Sequence, residues 1–213
     1  MKKTLYSLML NDEVVREVDA LAHRLGTNRS SLINEILAEY VDYKTPERRV
    51  QEILSAIETL MRPDAELVPF FAPHTDSLSL KSSLEYKYRP TIKYEVELGK
   101  TGDEIGTLSV LFRTQSPALI REMTEFFRLW TALEEQYLEP QLGPIGHALY
   151  EGRFCRSLKA PSRSCTSDEL AEAMAGYIRL FDRLMKGALA GRFNARDVEA
   201  EYVSFLKNAS ILF

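Results

Sequence analysis

Residues 5–41 read LYSLMLNDEVVREVDALAHRLGTNRSSLINEILAEYV, and this stretch decides how the chain begins. Its first residues have the alternation of a short strand and run, with no glycine or proline, into a capped helix. Asn11 is a good N-cap, and Asp12 and Glu13 suit the positive end of a helix dipole. Val14, Val18, Leu21 and Leu25 recur on one helical face, and Gly26 stops the helix. A second helix follows the cap Asn28, with Leu32, Ile33, Ile36, Leu37 and Tyr40 as its apolar stripe. A lone strand leaves its backbone groups unpaired. Two short helices bury too little surface to stand alone. The strength of these apolar faces therefore predicts burial against a second copy of the chain.

Strand, polar cap, amphipathic helix, glycine turn and the run NRSSLINEIL: over residues 4–43, about a fifth of the chain, the sequence resembles the ribbon-helix-helix family of DNA-binding proteins. The resemblance implies a homodimer in which two strands pair into a ribbon that enters the major groove of double-stranded DNA. It places Tyr6, Leu8 and Leu10 toward the shared core and Leu5, Ser7 and Met9 toward the bases. That outer face departs from the family's usual polar or basic one. Leu5 and Met9 could touch thymine methyl groups, and only Ser7 could hydrogen-bond a base edge. The start of the second helix fits better. Asn28, Arg29 and Ser30 form a polar helix N-terminus suited to a phosphate, and Lys2 and Lys3 precede the strand as further backbone contacts.

Beyond Tyr43 the resemblance gives no guidance. TPERRVQEILSAIETLM (45–61) reads as a helix capped by Thr45 with Pro46 in its first turn, connecting the two parts of the chain. Period-two alternation then sets in. Leu84, Tyr86 and Tyr88 share a face, as do Ile92, Tyr94, Val96 and Leu98, and then Leu108, Val110 and Phe112. These runs predict an antiparallel meander with one buried face. The loop GKTGDEIG lacks the upstream glycine of a phosphate-binding loop and reads as a hairpin connection. A helix from Ser116-Pro117 to about Leu138 should cover the sheet. After EPQLGPIG the chain is expected to be helical, with a capping box at Thr166 and Glu169 and a last helix from Asn194.

Composition narrows the function. Of the 213 residues 45% are hydrophobic and 27% charged, and the net charge of −4 argues against a protein that coats nucleic acid uniformly. Residues 1–50 hold eight basic and eight acidic side chains, so a DNA contact must rest on where charge is placed. No run of apolar residues is long enough for a membrane span, and the short apolar run after Lys3 lacks a cleavage site, so a cytoplasmic protein is expected. Two cysteines, Cys155 and Cys165, make no disulfide framework. His23, His74 and His147 are scattered, so no metal, no cofactor and no catalytic set are expected. Glu134 and Glu135 read as a solvated helix face. The aromatic residues Tyr86, Tyr94, Phe112 and Trp130 either line a ligand pocket beneath the sheet or fill a core.

The expectation is an α+β protein. A dimeric ribbon-helix-helix domain (1–44) and a connecting helix (45–62) precede a region (63–213) of antiparallel meander, covering helices and helical C-terminus. Its function would be sequence-specific transcriptional regulation, most simply repression. The second region would oligomerise, sense a small-molecule effector or bind a protein partner. A plasmid partition or conjugative relaxosome accessory protein, or an antitoxin-like module, would use the same front end.

Overall fold

Side-chain caps and glycine turns set the helix ends at the front of the chain. In a computed structural model, which describes residues 5–41, 43–70, 76–84, 90–99 and 102–213, the first element is the helix α1 (Asp12–Arg24). Asn11 accepts from the Glu13 N–H at 2.9 Å. Gly26 ends the helix with φ +65°, a left-handed conformation that favours glycine, and the Thr27 N–H returns to the Ala22 carbonyl at 2.9 Å. Asn28 caps α2 (Arg29–Tyr40) and α3 (Pro46–Met61) follows.

The expected N-terminal ribbon is therefore corrected: the chain opens with three helices, and residues 5–11 belong to no strand. The physical reason lies in pairing. Every described strand is paired within one sheet of the second unit, and among the described residues none pairs with 5–11 to share its backbone hydrogen bonds.

Contacts divide the chain into a unit of Met1–Pro46 and a unit of Glu47–Phe213. The second holds β1 (Val68–Pro69), β2 (Ser77–Ser83), β3 (Thr91–Leu98), β4 (Glu104–Phe112), β5 (His147–Tyr150) and β6 (Arg153–Lys159). Between β4 and β5 lie α4 (Pro117–Tyr137) and the short α5 (Glu139–Leu142); α6 (Ser167–Leu189) and α7 (Ala195–Asn208) follow β6. The sheet is antiparallel throughout, in the order β1-β2-β3-β4-β6-β5.

Alternation does what it predicts in β3 and β4. Ile92, Tyr94, Val96 and Leu98 are buried, as are Leu108, Val110 and Phe112. The same core takes Phe126, Phe127 and Trp130 of α4, Phe181 of α6 and Tyr202 of α7. It also takes Ile53, Leu54, Ile57 and Met61, so α3 packs within this core. Caps read from sequence are in place at Ser116, Thr166 and Asn194. One stretch expected to be helical is a hairpin instead: β5 and β6 pair at the sheet edge, joined by Glu151-Gly152. Tyr86 and Tyr88 lie outside the described residues.

Candidate functional site

The N-terminal unit has clean ends and little interior. Among its described residues Ala22, Leu32 and Ala38 are the buried apolar side chains. Outside lie Val14, Leu25, Ile36, Leu37, Tyr40 and Val41, from 44% to 88% exposed. At the start of α2, Asn28 accepts from the Ser31 N–H at 2.9 Å. Among the described residues no hydrogen bond takes up the backbone N–H of Arg29 or Ser30. Arg29 forms a two-pronged pair with Asp19: Nε donates to Oδ1 at 2.6 Å and Nη2 to Oδ2. The hydrogen bonds hold the Asp19 carboxyl below the usual aspartate range and Arg29 above the usual arginine range. Arg29 thus ties the start of α2 to α1. Leu5, Ser7 and Met9 stand in solvent ahead of α1, and so do Tyr6, Leu8 and Leu10. Lys2 and Lys3 lie outside the described residues.

The second unit hides a charged cluster around Glu134, a residue expected on a solvated helix face. Glu134 is fully buried on α4, where it accepts from Arg156 Nε at 2.9 and 3.0 Å and from the Tyr177 hydroxyl at 2.7 Å. His147 Nε2 lies 2.6 Å from its other oxygen. Tyr177 in turn accepts from the Trp130 indole N–H at 2.8 Å, and Arg156 Nη2 donates to the Phe213 carbonyl at 2.6 Å. Burial works to raise the Glu134 carboxyl, but Arg156 and then the hydrogen bonds from His147 and Tyr177 hold it below the usual glutamate range. Burial pushes the Tyr177 and Tyr202 hydroxyls up. Arg156 Nη1 and the Tyr202 hydroxyl are buried without a hydrogen-bond partner. The cluster joins α4, α6 and the β5–β6 hairpin. It takes up its own charges, so its chemistry is that of a structural tie.

Tyr94, Phe112 and Trp130, suggested as pocket residues, sit in packed aromatic core. Trp130 meets Phe181 edge-on at 4.8 Å between ring centres, Tyr94 meets the same ring at 6.2 Å, and Phe112 lies against Phe127. Tyr86, the fourth, lies outside the described residues.

A cavity of about 290 Å³ opens elsewhere, between the start of the sheet and the end of α6. Val68, Leu84 and Leu189 give it apolar walls; Glu66, Lys81, Lys186 and Arg192 give it charge. Lys186 is 9% exposed and lies 2.7 Å from both Asp182 and Glu66. The Tyr94 hydroxyl donates to Asp182 at 2.8 Å. Burial pushes the Asp182 carboxyl above the usual range. Burial works to lower Lys186, but its bonds to Asp182 and Glu66 hold it above the usual lysine range. Nothing local in the chain points to this arrangement beyond the i,i+4 spacing of Asp182 and Lys186.

Among the described residues no group of three or more His, Cys, Asp or Glu is placed to hold a metal ion, and no helix is long and apolar enough to cross a membrane. No family model, no curated protein and no solved structure matches the chain.

Proposed function

We propose that the chain is a DNA-binding transcriptional regulator, most simply a repressor acting by occupancy, whose N-terminal unit holds double-stranded DNA as a homodimer. One observation carries the dimer: this unit buries Ala22, Leu32 and Ala38 while leaving a larger set of apolar side chains in solvent. Returning each half-exposed leucine or isoleucine to an apolar contact contributes on the order of 1 kcal/mol. A second copy supplies that contact with the same surface, since a two-fold interface is self-complementary.

DNA binding rests on the resemblance of the capped helix pair to its family and on the start of α2. The free N–H groups of Arg29 and Ser30, at the positive end of the helix dipole, favour a phosphate. Asp19 uses two of the Arg29 donors, which leaves Nη1 for a phosphate oxygen. The second unit then serves control, as an effector or partner domain.

The test is to capture fragmented genomic DNA on the full-length protein, sequence what is enriched, and titrate the best fragment at several salt concentrations. The reading expects enrichment of a few sites by a dimer. Arg29→Ala should lower affinity for all sequences alike and flatten the salt dependence. A full-length protein that stays monomeric at micromolar concentration, with no salt-dependent DNA binding, would overturn it.

A further inference from the structure

We infer that the cavity between β2 and the end of α6 binds a small organic anion, an oxyanion head on a short apolar body, with Lys186, Lys81 and Arg192 holding the head. The anchor is Lys186. Its ammonium is nearly buried and fixed from behind by Asp182, which is itself held by the Tyr94 hydroxyl. On the open side it meets the Glu66 carboxylate at 2.7 Å. Glu66 is 71% exposed and makes one ion pair there, so an incoming carboxylate or phosphate can replace it at a position already shaped for a carboxylate oxygen. Lys81 and Arg192 line the same cavity, are exposed, and form no ion pair among the described residues.

The charges add in the ligand's favour. Lys186 and Asp182 offset each other, which leaves Lys81 and Arg192 against Glu66 alone. The negative end of the α6 dipole faces this region too. It is blunted, because the Lys186, Gly187 and Ala188 carbonyls are taken up by N–H groups of Ala190, Arg192, Phe193 and Gly191. Val68, Leu84 and Leu189 offer the apolar part of the ligand a wall. At about 290 Å³ the space lies at the low end for ligand pockets, roughly 300–1,000 Å³, so the ligand is small. Displaced Glu66 lies in the link from α3 to β1, which gives occupancy a route to the rest of this unit. The inference does not depend on DNA binding by the N-terminal unit.

The experiment titrates the full-length protein by calorimetry with benzoate, phenyl phosphate and inorganic phosphate, at constant ionic strength set with potassium chloride. Saturable binding of benzoate or phenyl phosphate is expected, and the tighter of the two identifies the head group. The double variant K81Q/R192Q should weaken that binding at least tenfold, and Glu66→Gln should tighten it several-fold by removing the competing carboxylate. All three positions are solvent-facing, so folding should survive; circular dichroism checks this. Absence of saturable binding by both aromatic probes would overturn the site. So would equal affinity in K81Q/R192Q, or an aromatic probe that binds no better than inorganic phosphate.

Discussion

The two units of this chain solve the same problem with unequal means. Both have well-marked helix ends: Asn11 and Asn28 in the first, Ser116, Thr166 and Asn194 in the second. Among the described residues only the second has an interior to match, with Trp130, Phe127, Phe154 and Phe181 fully buried around one another. The lesson is that capping fixes where a helix starts, while burial decides whether it persists. In the proposed dimer, a second copy supplies the burial that the described residues of the first unit lack.

The largest effect is expected at Glu134. Glu134→Ala strands the buried Arg156 guanidinium, and the loss of one partner of such a pair costs about 3–5 kcal/mol. Urea unfolding of the full-length protein should show that loss in the second unit alone. The pair also sets an acid limit. Because the folded Glu134 carboxyl lies below its ordinary range, its contribution is complete above that range and fades as the pH falls toward the depressed value. Glu134→Gln should flatten this part of the acid-unfolding curve.

Leu32→Ala asks how much the first unit relies on its few buried side chains. A loss of about 2–4 kcal/mol is expected. Amide exchange should rise across residues 12–40 while β3 stays protected. Unchanged protection in α1 and α2 would mean that the first unit is held by contacts other than these.

The exposed stripe gives a smaller and sharper test. If the proposed dimer buries this stripe, Leu37→Ser should raise its dissociation constant about tenfold, or ~1.4 kcal/mol, in sedimentation experiments. A fully exposed surface position would show almost nothing. Smallest is Asn28→Ala, which removes the cap on Ser31 for about 1 kcal/mol; helix content measured on dilution should fall at a higher concentration than in the unchanged protein.

Local chemistry was legible in the sequence, and long-range chemistry was not. Caps and the β3–β4 alternation could be read because their causes lie within a few residues. The β5–β6 hairpin is hidden from alternation because Arg156 stands where the pattern calls for an apolar residue between Phe154 and Leu158. The turn was nevertheless written there, in Glu151-Gly152, with Gly152 at φ +70°. Glu134 is buried while its neighbour Glu135 faces solvent. Its position four residues after Trp130 puts it on the apolar stripe of α4, and Arg156 satisfies it from 22 residues away. At the front, the strand pattern was real as composition, but a strand is a property of two segments and the chain supplies one. The Lys186 cavity could not be foreseen, because Glu66 meets that lysine across 120 residues.

The strand order has a consequence for synthesis. β4 lies at the centre of the finished sheet, but its neighbour β6 is made only after α4, α5 and β5. Until Arg153–Lys159 docks, β4 is an open edge bearing Leu108, Val110 and Phe112. Such an edge invites pairing with other chains. Closing the forty-residue excursion between β4 and β6 is a slow step by topology. A nascent chain paused before β6 is therefore the form of this protein most in need of a chaperone.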